Sequence, residues 1–327
     1  MPQPDLPAHH ILQQAAQWFA TMLDEDVSQQ DRDQWQAWLN AHPEHQRAWH
    51  YVEQVGQRFQ QAQQQAGTTG ARQIIHDTRS SRITRRTLLG SGLASVATWL
   101  IWSQTTLPGT ARQLAHTLSA DYRTATGEQR QLTLSDGGRL WLNTATAVDI
   151  SYNHTIRHIT LRDGEVLIET AKDALARPFV VTTLQGSLRA LGTRFSVQQG
   201  DGDTQISVYE GAVEINATAG QRFTLEAGEQ TTFTASAIAK PHKAQRSRVA
   251  WQQGLIVADN ISLQELVDEL SRYRHGYLAV DASVANLKVM GTYPIDKPDH
   301  TLTMLENALP IRTRRVLPWW VTLEPDH

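Results

Sequence analysis

The stretch "HITLRDGEVLIET", residues 158 to 170, decides how the centre of this chain is read. Apolar and polar residues alternate before Asp163-Gly164, and the short apolar run Val166-Leu167-Ile168 follows it. Alternation of period two marks a strand with one buried face, and an Asp-Gly pair marks a turn between paired strands. The stretch therefore predicts a hairpin. The same unit returns in "QLTLSDGGRLWLN" (131–143), with Asp136-Gly137-Gly138 as its turn. It returns again in "FSVQQGDGDTQISVYEGAVEIN" (195–216), at Gly200 to Asp203 and then at Glu210-Gly211, and in "FTLEAGEQTTF" (223–233). From Ala120 to Phe233 the chain thus predicts an all-β domain of stacked hairpins, sandwich or solenoid-like, assigned to residues 108–245. Asp201 and Asp203 do not have the spacing of a calcium-binding EF-hand loop.

Upstream lies "ITRRTLLGSGLASVATWLIWSQTTLP" (83–108), uncharged from Thr87 to Ala111. Taken from Thr87 to Leu107 it is long enough for about 30 Å of helix, the thickness of a bilayer core. Arg79, Arg82, Arg85 and Arg86 crowd one side, and Trp99 and Trp102 lie near the other. Both features predict a transmembrane helix over 87–107 rather than a buried one. The Arg85-Arg86 pair ahead of the apolar run also matches a twin-arginine export signal. The orientation that follows puts residues 1 to about 86 in the cytoplasm and everything after about 108 outside. Residues 66–86 are then a linker.

Residues 9 to 64 carry helical periodicity. Ile11, Leu12, Ala15, Ala16 and Phe19 recur at helical spacing. Ser28 with Asp31 starts a second helix, and Pro43 opens a third. This predicts a small all-α bundle over residues 1–65. Trp18, Trp35, Trp38 and Trp49 are more large rings than so small a bundle hides, so some are expected to anchor a partner. His42 and His45 have no evident third ligand, and no metal or cofactor is expected.

Residues 251–327 predict an α+β unit in the order β-α-β-β-α-β. Its helices run through Leu266 and Leu270, and from Asp299 to Leu309. Its last strands are Ile311 to Val316 and Trp319 to Leu323.

Composition narrows the function. The 327 residues carry a net charge of -3, so direct nucleic-acid binding is not expected. There are no cysteines, which excludes disulfides and cysteine nucleophiles. No nucleophile elbow, zinc-protease helix or phosphate loop appears, so a conventional enzyme is not expected.

These segments, in this order, resemble the FecR family of inner-membrane regulators that control an extracytoplasmic-function (ECF) sigma factor in iron-siderophore signalling. Trp18 and "QWQAWLNAHPEHQRAWHYVEQV" resemble the family's sigma-binding domain. "RTATGEQRQLTLSDGGRLWLNTATAVDI", "ITLRDGEVLIET", "AKDALARPFVV" and "ALGTRFSV" resemble its β domain, and the last unit resembles a short domain of secretins and signalling receptors. The resemblance implies three kinds of partner. An ECF sigma factor is held by Trp18, Trp35, Trp38 and Trp49. The signalling domain of a TonB-dependent outer-membrane receptor engages the external part. Periplasmic and intramembrane proteases release the bundle stepwise. It also draws attention to Gly192-Thr193 in "LGTRF", a bond at which some members cleave themselves, here by attack of the Thr193 hydroxyl on the Gly192 carbonyl. Gly-Thr recurs at 67–68, 109–110 and 291–292, and only the strand context singles out the pair at 192. The competing reading is an exported or anchored protein whose β domain holds cell-wall glycan.

Overall fold

The computed structural model describes residues 7–23, 27–74 and 120–326. Helix α1 (His9–Met22) buries Ile11, Leu12, Ala15 and Ala16, one stripe at helical spacing. Helix α2 (Gln29–Ala41) begins at a capping box: the Ser28 hydroxyl accepts from the Asp31 amide, and the Asp31 carboxylate accepts from the Ser28 amide. It buries no residue. Helix α3 (Pro43–Ile74) continues through the glutamine-rich segment that the sequence assigned in part to a linker.

The fold class read from the sequence needs correction. Among the described residues no helix is long and apolar enough to cross a membrane. The span expected over 87–107, with Arg85 and Arg86 ahead of it, lies outside the described residues.

Numbered along the chain, the β domain is a sandwich of two layers. The first layer runs β1 (Tyr122–Arg123), β4 (Ala147–Tyr152), β5 (Arg157–Glu169), β6 (Phe179–Thr182), β7 (Gly186–Ala190), β10 (Ala212–Ala217), β11 (Arg222–Glu226). The second runs β2 (Arg130–Thr133), β3 (Arg139–Leu142), β5 again, β8 (Arg194–Gln199), β9 (Thr204–Glu210), β12 (Glu229–Phe233), β13 (His242–Lys243). Pairing is antiparallel except between β5 and β6. An aliphatic core with Phe179, Phe195 and Phe233 fills the space between the layers.

Strand β5 belongs to both layers. Residues 157–163 pair with β4 and residues 164–169 with β3 and β8. The predicted hairpin at Asp163-Gly164 is therefore one bent strand. Gly164 has φ +83°, and a Cβ there would lie 2.4 Å from the Thr146 hydroxyl oxygen, so only glycine fits the bend. The two halves of "HITLRDGEVLIET" find partners in different sheets instead of each other. Glu210-Gly211 and Ala227-Gly228 are likewise corners that carry the chain from one layer to the other. True reversals occur at 134–138, 153–156, 183–185, 200–203 and 218–221.

The C-terminal unit contains β14 (Leu255–Ser262), α4 (Leu263–Ser271), β15 (Tyr277–Val280), β16 (Lys288–Pro294), α5 (Pro298–Ala308), β17 (Ile311–Leu317) and β18 (Trp320–Pro325). One strand more than the β-α-β-β-α-β order is present, and the strands form two small sheets, β14–β16 and β15–β18–β17. Ser262 and Glu265 make a capping box at α4. Asp299 sits in the first turn of α5. This unit lies on the outer face of the second β layer, where Leu167 and Tyr209 join one core with Val249, Trp251, Leu263 and Leu266.

Candidate functional site

Gly192 and Thr193 occupy the corner between β7 in the first layer and β8 in the second. Gly192 is left-handed, with φ +77°. Gly211 packs against it so closely that a Cβ on Gly211 would lie 2.3 Å from the Gly192 carbonyl oxygen. The Thr193 amide donates to the Thr170 hydroxyl oxygen (2.8 Å), and the Thr193 carbonyl accepts from the Thr170 amide (3.0 Å) and hydroxyl (3.2 Å). Both backbone polar groups of Thr193 are thus held by one residue. The Thr193 hydroxyl oxygen is buried and has no hydrogen-bond partner. An unsatisfied buried hydroxyl costs about 1–3 kcal/mol and calls for an explanation. Of the other Gly-Thr pairs, 291–292 lies inside strand β16, 67–68 lies inside α3, and 109–110 lies outside the described residues.

The remaining quoted motifs make contacts elsewhere in the β domain. In "AKDALARPFVV", Arg177 donates to the Asp173 carboxylate, which holds the Asp173 carboxyl well below the usual carboxylate range. The same arginine reaches the Asn153 carbonyl. Arg157 donates to buried Asp136 (2.8 Å) and to the carbonyls of Ala171 and Arg177, so its buried charge is fully met. In "LGTRF", Arg194 lies over the Tyr209 ring and Phe195 is in the core.

The four predicted tryptophans are half-buried, neither hidden nor free. Trp35 and Trp49 pack at 4.9 Å between ring centroids, and Phe19 joins them at 5.6 Å from Trp49. Trp38 stands apart. It stacks on His45 at 4.5 Å and donates to Gln14 (3.1 Å), while His45 Nδ1 bonds the Trp38 carbonyl oxygen. His45 is thus engaged by a tryptophan, and among the described residues no cluster suits a metal ion. Trp18 makes none of these ring contacts.

Sequence reading missed what this bundle rests on. Trp319 and Trp320, with Leu317, share one core with Ile11, Leu12, Ala48 and Val52. Phe19 meets Trp319 edge-on at 5.8 Å, Tyr277 stacks on Trp320 at 3.9 Å, and Gln13 donates to Glu324 (2.9 Å). The "LPWW" cluster was the available signal, since two adjacent tryptophans bury together only where a second element covers one of them.

A second missed cluster joins the β domain to the C-terminal unit. Glu165 accepts from Arg272 (2.7 Å), Asn143 (2.9 Å) and the Trp251 indole (3.2 Å). Asn143 also donates to the Tyr273 hydroxyl (2.8 Å), which donates on to Glu269. Burial works to lower the pKa of Arg272, but Glu269 and Glu165 outweigh it and hold the guanidinium charged. Burial pushes the Tyr273 hydroxyl well above its ordinary value.

Residues 120–214 match the family described as FecR protein, and residues 13–55 match DUF4880, a domain of unknown function. No curated protein matches the chain. Two crystal structures, at 2.50 and 1.65 Å, of a Parabacteroides distasonis protein named in provisional terms as an anti-sigma factor are similar in fold. Each has 22% identity and a TM-score of 0.51, covering 62% of this chain and 97% of that one. The two matched segments stand in the order the sequence motifs implied, and the chain carries a FecR domain behind a DUF4880 segment, on a fold that a solved structure shares.

Proposed function

We propose that this protein is an anti-sigma regulator whose helical bundle holds an ECF sigma factor. The observation that carries the reading is the pairing of a DUF4880 segment with a FecR domain, whose fold neighbour is named as an anti-sigma factor. The half-buried rings of Trp18, Trp35, Trp38 and Trp49 supply the contact. A half-covered aromatic contributes most when a partner removes the remaining face from water. The input is a ligand-loaded TonB-dependent outer-membrane receptor acting on the β and C-terminal units, and the working place is the cell inner membrane. Proteolysis releases the bundle.

Self-cleavage at Gly192-Thr193 belongs to the same reading. The Thr193 hydroxyl oxygen adds to the Gly192 carbonyl carbon, the carbon–nitrogen bond breaks, and the hydroxyl proton passes to the freed Thr193 nitrogen. Water then opens the ester, leaving a Gly192 carboxylate and restoring the Thr193 hydroxyl. The left-handed glycine and the unpartnered hydroxyl both favour this step. Thr170 keeps the peptide in register.

The test is co-purification of the full chain with the ECF sigma factors of its host. One of them is expected to stay bound, and W35A with W38A in one folded chain is expected to lose it. Retention by that double variant would remove the tryptophans from the contact; absence of any sigma factor would remove the regulator reading. On an immunoblot, T193A is expected to abolish the two-fragment pattern, and its persistence would exclude Thr193 as nucleophile.

A further inference from the structure

The two outer faces of the β sandwich differ. The face of the second layer is covered by the C-terminal unit. The face of the first layer carries a hollow of about 500 Å³ over β6, β7, β10 and β11, lined by Val180, Ser187, Arg189, Glu214, Asn216 and Arg222 among others.

Strand register arranges these side chains. Arg189 stands opposite Val180 on one side and Glu214 on the other, while Asn216 stands opposite Ser187 and Arg222. Arg189 and Arg222 are two strands and two residues apart, which separates their backbones by about 12 Å. Two guanidinium arms of ordinary length reach toward one small molecule across that gap. Glu214 and Asn216 lie between them on β10.

Most arginines of this domain are engaged, Arg123 at the far edge of the first layer being an exception outside the hollow. Arg139, Arg157, Arg162 and Arg177 each hold a carboxylate, and Arg130 and Arg194 lie over tyrosine rings. Among the described residues Arg189 and Arg222 hold no carboxylate, and Ser187, Glu214 and Asn216 make no side-chain hydrogen bond. Five polar side chains around one hollow thus keep their bonding capacity for something outside the fold.

We propose that this hollow binds an acidic saccharide: a small polyhydroxylated molecule carrying one carboxylate. The arginine fork matches a carboxylate bidentately. Ser187 and Asn216 both donate and accept, which suits sugar hydroxyls. Ionised Glu214 only accepts, so it takes a ligand hydroxyl and repels a second anionic group. Two cations against one carboxylate favour a monoanion over a polyphosphate. This proposal is independent of the sigma-factor reading.

The experiment titrates the full chain with glucuronate, with glucose and with inorganic phosphate, by calorimetry or chemical-shift perturbation. Glucuronate is expected to bind saturably, and glucose, which differs at a single carbon, at least about tenfold more weakly, since it lacks the charge-assisted hydrogen bonds of the carboxylate. R189A and R222A are each expected to weaken glucuronate by about tenfold with an unchanged circular dichroism spectrum. R189K keeps the charge without the fork and is expected to fall between them and the parent. E214Q is expected to improve phosphate relative to glucuronate. Equal affinity for glucose and glucuronate, tighter binding of phosphate than of glucuronate by the parent chain, or arginine variants that bind as the parent does, would each overturn the proposal.

Discussion

The C-terminal unit makes two contacts of opposite character. Toward the β domain it adds to a shared apolar core a network of ions and directed hydrogen bonds: Arg272, Tyr273 and Trp251 around Glu165 and Asn143. Toward the helical bundle it presents rings: Tyr277, Trp319 and Trp320 against Phe19, Tyr51 and Phe59. A buried ion network tolerates one geometry, because each unmet group costs more than a met one contributes. Aromatic burial depends chiefly on area and is nearly non-directional. The polar seam therefore joins the β domain and C-terminal unit as one body.

The largest expected effect is at the aromatic seam. Trp319 is 5% exposed and lies against Phe19, Phe59 and Gly56. Trp319→Ala is expected to cost about 3 kcal/mol or more, concentrated in α1 and α3. Native-state hydrogen exchange reads it, and unchanged protection of α1 would show that the bundle has a sufficient core of its own. At the polar seam, Glu165→Gln leaves Arg272 with a partly buried, underpaired charge. Breaking such a pair costs about 3–5 kcal/mol when fully buried, and the partial exposure of Arg272 reduces this to about 2. Denaturant unfolding followed in the C-terminal unit checks it. A cost confined to that unit, with the β domain melting separately, would mean the two are not one body.

Smaller is Tyr273→Phe, which removes the hydroxyl between Asn143 and Glu269 and is expected to cost about 1 kcal/mol in the same assay. The smallest effect is a pH response of the aromatic seam. Burial pushes the His9 imidazole below its ordinary value against the pull of Asp281 and Glu324, with His10 adding to the fall. His9 also stacks on Tyr277 and meets its hydroxyl at 3.3 Å. Its folded pKa is lower than its unfolded one, so the unfolded chain binds more protons just below pH 6.5. This contribution is fully present above that value and is lost as pH falls from it toward the folded pKa. Exchange protection of α1 is expected to decline modestly over that window, while Arg272 keeps its charge throughout. Decline at the polar seam first would reverse the comparison.

Much of the local structure was legible in the order of residues. The stripe Ile11, Leu12, Ala15, Ala16 identified α1, and Ser28 with Asp31 identified the start of α2, because periodicity and capping are short-range properties. "QLTLSDGGRLWLN" was legible as a hairpin, since the strands on either side of Gly137 do pair with each other. The same reasoning failed at "HITLRDGEVLIET", where an equally good turn signal marks a bend. Nothing within thirteen residues states whether two strands pair together or with strands from elsewhere; Thr146, pressed against Gly164, decides it.

The candidate sites divide along the same line. Gly192-Thr193 stood out by its strand context, but the burial of the unpartnered Thr193 hydroxyl was not legible there, and the clamp by Thr170 comes from a neighbour 23 residues away. The tryptophans of the bundle were legible as too many rings for their segment, yet not that Trp319 would meet them. Glu165, Asn143 and Arg272 gave no local sign of partnership, because their contacts span 22 to 130 residues. By itself, then, the sequence determined which of the described segments are helix or strand, the caps at Ser28 and Ser262, and which family motifs the chain carries, since those depend on spacing along the chain. Only the tertiary structure decided which layer each strand joins, which glycines bend rather than reverse, and which units share a core. Those outcomes are set by steric fit and by the desolvation of groups distant in sequence.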